Sequence, residues 1–308
     1  MPVPASTTVV GGDEGAMAPN AFVDEELARL RAADYGGAAA AEFARAFWSR
    51  ARETGRRRPE LVRELRVVRR VGVVVALLIG LAIHAEGVPA VPAVAWPMVA
   101  WVVLCGWVAV ELGLVRHPLS GVDAPRIGPA NVMTLYRGWV SVPIVLVASA
   151  RPGPTLAWVV LCITAGLTDL FDGTVALRLG HESRLGRLID PVLDAFFFSA
   201  AAFSLARWGL LPGWMAAVVA ARYFAPVIGG LVLLFVVGHT MPVRHTPWGQ
   251  RATMATAFAL SVSWVGTLVR LPALLLPGLY AVAVGCMALA LLGILRRAPG
   301  AAAGSAGQ

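Results

Sequence analysis

Long runs of apolar residues alternate with short polar segments from about residue 71 to residue 295. A helix needs about 20 apolar residues to cross the hydrocarbon core of a bilayer, and eight runs here meet or approach that length. The runs cover residues 71–85, 91–115, 131–150, 155–177, 188–206, 213–237, 252–271 and 274–295, and the first is rather short. The pattern predicts an all-α integral membrane protein with eight transmembrane helices.

Composition agrees with this pattern, since 58% of the residues are hydrophobic, 14% are charged and the mean hydropathy is +0.72. Much of the basic charge behind the net +8 lies in arginines just before the first run. Such clusters mark the cytoplasmic side and attract anionic headgroups, so membrane orientation explains the charge better than nucleic acid does. Cys105, Cys162 and Cys286 lie inside apolar runs at unrelated spacings, which indicates neither a disulfide framework nor a zinc site.

The chain divides into four predicted segments: a disordered or amphipathic basic arm (1–70), two transmembrane helices with a connector (71–128), a six-helix body (129–298) and a disordered tail (299–308). Within the arm, 24–33 and 38–52 are predicted to be helical. The second helix either lies at the membrane interface or is a solvated arm. If the spans alternate, most later arginine clusters fall on the side of the arm, so both termini and the candidate site are predicted to be cytoplasmic.

Four aspartates stand where the fourth run ends and the fifth begins: Asp169, Asp172, Asp190 and Asp194. The first pair is spaced i, i+3 and the second i, i+4, so each pair shares one face of its helix. The short link between the runs predicts antiparallel neighbouring helices that bring the two pairs together. Because ionisable groups at membrane depth are costly, this cluster predicts a functional site.

Carboxylates gathered in this way repel one another, and divalent cations would relieve the repulsion. Oxygen ligands without Cys or His favour Mg²⁺, Mn²⁺ or Ca²⁺, and two such ions can clamp a diphosphate. Gly173, Ala176 and Gly186 keep the same faces clear, as a nucleotide lying against the helices would need. The alternatives are that these small residues only let helices pack closely, and that the aspartates are capping or interfacial residues beside arginines.

The segment TDLFDGTVALRLGHESRLGRLIDPVLD, which starts at Thr168, resembles the CDP-alcohol phosphatidyltransferase motif D-x-x-D-G-x-x-A-R-x(8)-G-x(3)-D-x(3)-D. One position differs from the motif: Leu177 stands where that family has arginine, and Arg178 follows one position later. That shift turns the position by about 100° around a helix, so Arg178 would have to reach back to substitute. The resemblance covers residues 130–297 and excludes the arm and the first two spans.

Weaker matches flank this motif. Asn131, Thr134 and Arg137 look like the N-x-x-T-x-x-R opening of the family's first helix, and Arg222 stands where phosphatidylglycerophosphate-synthase-like members also have arginine. The stretch TPWGQRAT resembles a basic G-K-x-K-T stretch of those members. Gln250 and Ala252 replace its two lysines here, so that Arg251 is its only basic residue.

The resemblance implies a homodimeric membrane enzyme of phospholipid biosynthesis. Such an enzyme transfers a phosphatidyl group from CDP-diacylglycerol to an alcohol and releases CMP, and glycerol 3-phosphate is the preferred acceptor here, with an inositol phosphate next. Two Mg²⁺ or Mn²⁺ ions would be held by the four aspartates, with Asp194 also the general base. The implied nucleotide-binding residues are Thr134, Asp169, Gly173, Ala176 and Gly186. The implied acceptor-binding residues are Asn131, Arg137, Arg178, Arg222 and Arg251, although Arg178, Arg222 and Arg251 are equally explained as snorkelling interfacial side chains.

Two other interpretations stay open. A transporter also places acids within the membrane, but here all four lie at one end of the spans and no inverted repeat is evident. A non-catalytic relative of the family is suggested by Leu177 and by the missing lysines. The retention of all four mutually repelling aspartates argues against it.

Overall fold

The computed structural model describes residues 21–115, 124, 126–179, 183–232, 234–235, 247–268 and 275–295. For Ala21 and for residues 169–179, 247–251, 266–268 and 290–295 the description is limited to the backbone. Residues 1–20 of the predicted arm and the tail predicted to be disordered, 299–308, lie outside these ranges, as does most of the connector between the second and third predicted spans.

Ten α-helices account for most of the described backbone, and no β-strand occurs in it. The helices are α1 (Ala21–Ala32), α2 (Gly37–Arg57), α3 (Pro59–Ala85), α4 (Ala90–Val110), α5 (Gly128–Ala150), α6 (Leu156–Leu179), α7 (Arg184–Arg207), α8 (Gly213–Val232), α9 (Pro247–Leu268) and α10 (Leu275–Leu295). A short 3₁₀ turn, Leu112–Leu114, follows α4.

Each of the eight predicted spans overlaps one helix, α3 to α10, in the described residues. Within the described residues, α3, α4, α5, α7 and α8 are long and apolar enough to cross a bilayer, and shorter apolar stretches of helix cover 156–168, 252–265 and 275–289. Apolar side chains such as Leu78, Val99 and Val103 are exposed on α3 and α4, as expected of helices that face lipid. The prediction of an all-α integral membrane fold is confirmed.

The helix that contains the first predicted span is longer than the apolar run that predicted it. Instead of beginning at residue 71, α3 begins at Pro59 and runs for 27 residues. Proline is favoured in the first turn of a helix, and arginine has a high helix propensity, so the basic segment before residue 71 continues the helix. The end of the arm and the first span are therefore one element.

The helices α3 and α4 form a tight hairpin. A Cβ atom at Gly80 would lie 2.6 Å from the carbonyl oxygen of Ala93, and one at Gly72 would lie 1.9 Å from the ring of Trp101. The indole nitrogen of Trp101 donates a hydrogen bond to the carbonyl oxygen of Arg69, at 3.2 Å. Small residues at the contact allow the two backbones to approach closely.

Helix α5 is the centre of the bundle and packs against α4, α6 and α7. Its Trp139 donates from Nε1 to the carbonyl oxygen of Pro97 on α4, at 2.7 Å, and its Tyr136 hydroxyl lies 2.6 Å from Oγ1 of Thr164 on α6. Both helices that bear the predicted aspartates therefore pack against α5.

Candidate functional site

Gly138 sets how closely α5 approaches α7. A Cβ atom at this position would lie 2.4 Å from Cδ2 and 2.7 Å from Cβ of Leu193, distances that real contacts essentially never reach. Leu193 is the residue just before Asp194, on the helix that also bears Asp190. The absence of a side chain at position 138 thus places the aspartate helix directly against α5.

Asp190 and Asp194 lie one turn apart on α7, and both are half-buried. Oδ1 of Asp194 lies 2.7 Å from Nε of Arg137 on α5, and Arg137 is only 1% exposed. Coulombic attraction at this distance is strong where water is largely excluded. The ion pair therefore fixes the carboxylate of Asp194 against α5.

Asn131 lies two turns before Arg137 on α5 and is buried. Its amide nitrogen donates to the carbonyl oxygen of Ile127 and to Oγ of Ser183, the latter at 3.0 Å. Ser183 is the N-cap residue of α7, and its Oγ accepts a hydrogen bond from the backbone N–H of Gly186 at 3.1 Å. Asn131 thus holds the first turn of the aspartate helix.

Gly186, predicted to line a nucleotide pocket, faces Asn131 in the structure. A Cβ atom there would lie 2.6 Å from Oδ1 of Asn131. This packing contact favours glycine at position 186, in line with the alternative that small residues here serve close packing. A role for Gly186 in nucleotide binding stays a prediction.

Two other predicted site residues, Thr134 and Arg222, lie on α5 and α8, and Ala252, a departure from the family pattern, lies on α9. Thr134 is buried, and its hydroxyl donates to the carbonyl oxygen of Ala130 in the same helix, at 3.2 Å. Arg222 on α8 is half-buried, with its guanidinium carbon 5.0 Å from the ring centre of Tyr223. Ala252, which stands in place of a lysine of the family, is fully buried in α9. Nucleotide binding by Thr134 and acceptor binding by Arg222 stay predictions.

The remaining predicted residues are described by their backbone alone. Asp169, Asp172, Gly173, Ala176, Leu177 and Arg178 lie in the last turns of α6, and Gln250 and Arg251 lie in the first turns of α9. Their side chains fall outside the described part of the structure. The predicted meeting of the two aspartate pairs therefore stays a prediction.

The donor chemistry of the site fits a hard divalent cation. Asp190 and Asp194 present carboxylates on one face of α7, and carboxylate oxygens are the ligands that Mg²⁺ and Mn²⁺ favour. Among the described side chains, no group of three or more His, Cys, Asp or Glu residues is close enough to hold a metal ion. A complete set would need Asp169 and Asp172 from α6 as well.

Three residues of this region were not found by sequence reasoning. Ser183 had a local signal, since serine before a helix is a preferred N-cap. Gly138 had none, because its partner lies on another helix. Glu64 on α3 also had none, yet its carboxylate accepts hydrogen bonds from the backbone N–H groups of Ile127 at 2.8 Å and Gly128 at 3.2 Å.

Comparison with known proteins identifies the class. The family model for CDP-alcohol phosphatidyltransferase matches residues 127–294, which is more than half of the chain and corresponds to α5 through most of α10. The chain belongs to this family of membrane transferases, as the aspartate motif predicted. The family depends in general on divalent metal ions.

Individual relatives match a shorter region. A CDP-diacylglycerol–glycerol-3-phosphate 3-phosphatidyltransferase of Bacillus subtilis is 35% identical over 104 residues, 32% of this chain and 53% of the relative. A probable phosphatidylglycerophosphate synthase of Mycobacterium tuberculosis is 33% identical over 30% of this chain and 46% of the relative. A CMP-forming cardiolipin synthase of Streptomyces coelicolor is 33% identical over 30% and 45%. The chain thus spans about half the length of these relatives, and no solved structure matches it significantly.

Proposed function

We propose that this protein transfers a phosphatidyl group from CDP-diacylglycerol to the hydroxyl of a small alcohol and releases CMP. The observation that carries the proposal is the contact between Asp194, the last aspartate of the family motif, and the buried Arg137. A positioned carboxylate beside a group of metal-binding acids is what proton removal from an alcohol requires. The cluster of arginines before residue 71 supports a site on the cytoplasmic face.

Asp194 is the proposed general base. The Arg137 guanidinium holds this carboxylate against α5, in a fixed position from which it can accept the proton of the acceptor hydroxyl. The hydroxyl oxygen then attacks the β-phosphorus of CDP-diacylglycerol, and the bond to the CMP oxygen breaks. Divalent ions held by Asp169, Asp172, Asp190 and Asp194 would supply neutralisation of the diphosphate and of the leaving CMP.

Glycerol 3-phosphate is the preferred acceptor. Two of the relatives described above are named for phosphatidylglycerophosphate synthesis or for transfer to glycerol 3-phosphate, which supports this choice. The name of the Streptomyces coelicolor relative supports a second candidate, cardiolipin formation, in which the acceptor is a lipid alcohol. An inositol phosphate comes after these, and a homodimer is proposed on the resemblance alone.

A purified-protein assay tests the proposal. The full chain in vesicles is given CDP-diacylglycerol, Mg²⁺ or Mn²⁺ and one acceptor at a time, and CMP release and the lipid product are measured. Turnover with glycerol 3-phosphate that is lost in Asp194→Asn supports the proposal, and turnover only with phosphatidylglycerol favours the cardiolipin alternative. Metal binding without turnover on any acceptor would identify a non-catalytic relative, and neither binding nor turnover would favour a transporter.

A further inference from the structure

Helix α3 lies outside the region that the family model matches, yet it bonds to the start of two helices of the catalytic body. At its basic end, the carboxylate of Glu64 accepts hydrogen bonds from the N–H groups of Ile127 and Gly128, where α5 begins. At its other end, the carboxylate of Glu86 accepts from Oγ1 of Thr155 and from the N–H of Ala157, the latter at 3.0 Å, where α6 begins.

The two carboxylates are held far apart by the helix between them. Glu64 and Glu86 flank most of a 27-residue helix, so they lie about 33 Å apart along its axis, close to the thickness of a bilayer core. The first N–H groups of a helix lack partners within it, and the helix dipole makes that end electropositive. A carboxylate accepts hydrogen bonds from these N–H groups, and its negative charge is attracted to the electropositive helix end. Glu64 therefore holds the start of α5, and Glu86, at the opposite end of the bundle, holds the start of α6.

The contact at Glu64 continues as a chain of hydrogen bonds to the aspartate helix. The carbonyl oxygen of Ile127 accepts from the amide of Asn131, and the same amide donates to Ser183 Oγ at 3.0 Å. Ser183 Oγ in turn accepts from the N–H of Gly186, four residues before Asp190. The path therefore runs from α3 through the start of α5 to the first turn of α7.

Because these residues are buried, water cannot easily replace the hydrogen bonds that link them. Ile127, Asn131 and Ser183 are all 5% exposed or less, so a broken link would leave buried polar groups without their partners. The guanidinium of Arg58, just before α3, adds a second tie, because it donates to the carbonyl oxygens of Val115 and Ala124 on either side of the connector. Glu64 of α3 thus holds the start of α5, and Arg58 holds two residues of the segment that leads to it.

We propose that Glu64 is a positioning residue for the transfer reaction: through Asn131 and Ser183 it sets where α7 places Asp190 and Asp194 relative to α5. Helix α3 then supports the catalytic body at two points. Glu86 binds the start of α6, the helix that bears Asp169 and Asp172, as Glu64 binds the start of α5. This inference rests on the proposed function. It gives the N-terminal pair of helices a role in the geometry of the metal site.

The test compares Glu64→Ala and Glu64→Gln with Glu53→Gln, using the full chain in vesicles. Glu53 is an exposed glutamate of α2 paired with Arg57, so its variant makes the same change of charge without touching α5. Glu64→Ala should lower kcat for CMP release by about 10- to 100-fold, because a displacement of about 1 Å costs that much, with a small change in KM for the acceptor. Glu64→Gln should recover part of the loss, since its amide oxygen still accepts one N–H, and Glu53→Gln should stay within about twofold of wild type.

A second readout does not depend on turnover. Binding of Mn²⁺ alone, followed by its electron paramagnetic resonance signal, should weaken in Glu64→Ala and stay unchanged in Glu53→Gln. If wild type releases no CMP while Glu64→Ala still weakens Mn²⁺ binding, the proposed function fails, and Glu64 positions the metal site but no transfer reaction. If wild type turns over and Glu64→Ala keeps both kcat and Mn²⁺ affinity, the positioning role is overturned.

A double-mutant cycle separates positioning from general loss of stability. Glu64→Ala and Ser183→Ala break the same chain of bonds, so their effects on kcat should be clearly less than multiplicative when combined. Fully multiplicative effects would show that the two residues act independently, which the proposal does not allow.

Discussion

Arg137 on α5 and Asp194 on α7 meet with 2.7 Å between Nε and Oδ1, and the arginine is almost completely buried. The resemblance implied that Arg137 binds the acceptor and that Asp194 is the base. The contact joins these two roles, because an arginine that pairs with the base controls the orientation of its carboxylate. It also links the first helix of the matched region to the third.

Arg137→Ala should therefore act on chemistry more than on acceptor affinity. Removal of Arg137 leaves the half-buried carboxylate of Asp194 without its charged partner, and the loss of a partner at a buried polar group typically costs about 1–3 kcal/mol of stability. We expect kcat for CMP release to fall by at least about 100-fold, as for a displaced catalytic group. Steady-state kinetics and thermal unfolding check both effects, with Arg52→Ala on the exposed face of α2 as the control. A rise in acceptor KM at unchanged kcat would instead assign Arg137 to acceptor binding alone.

Gly138→Ala should push α7 away from α5. Its new Cβ would overlap Leu193, and overpacking of this kind costs about 1–3 kcal/mol. We expect a lower thermal midpoint and lower activity, both partly restored by the second change Leu193→Ala. Gly106→Ala on α4 is the matched control, since no atom lies within 4 Å of its added Cβ. Equal effects of the two glycine substitutions would contradict the close approach of α5 and α7.

Removal of divalent ions should abolish CMP release, and Mg²⁺ or Mn²⁺ should restore it. The acids of the motif would otherwise repel the diphosphate rather than bind it. Asp190→Asn should weaken Mn²⁺ binding by about tenfold or more, because an amide oxygen carries no negative charge. Activity that persists in a chelator, with full affinity in Asp190→Asn, would exclude metal binding at this cluster.

Leu177→Arg tests the one departure from the family motif. If the family's arginine supplies a substrate contact that Arg178 replaces only in part, Leu177→Arg should raise kcat/KM for CDP-diacylglycerol. Arg178→Ala should lower it in the natural background and have little effect when combined with Leu177→Arg. Both effects are measured by steady-state kinetics of CMP release, with glycerol 3-phosphate as the acceptor. If kcat/KM does not rise in Leu177→Arg and does not fall in Arg178→Ala, neither residue takes part in substrate binding.

Glu111, the residue that follows α4, should destabilise the fold at neutral pH. Burial raises the pKa of this carboxyl above its usual value. A carboxyl with a raised folded-state pKa binds its proton more tightly in the folded than in the unfolded state, so this contribution to stability is full below the unfolded pKa and is lost as the pH rises through the folded one. Glu111→Gln should therefore raise the thermal midpoint at pH 7 and have little effect near pH 4, as measured by unfolding across that range. A larger gain at the acidic end would contradict the direction of the shift.

The sequence by itself determined the membrane fold and the family. Apolar runs of span length, and aspartates spaced i, i+3 and i, i+4, are local patterns, and local patterns are what a helix displays directly. Hydropathy indicated only the apolar part of α3, whereas the helix begins at Pro59, because arginine also has a high helix propensity.

Only the tertiary structure decided which residues meet. The pair Arg137 and Asp194 joins residues far apart in the chain, and so does the bond from Glu64 to Ile127. No local pattern encodes such contacts, because they depend on the rotation and approach of whole helices. Gly138 is the clearest example. Its lack of a side chain matters only because Leu193 of another helix packs against it, and the sequence does not show that contact.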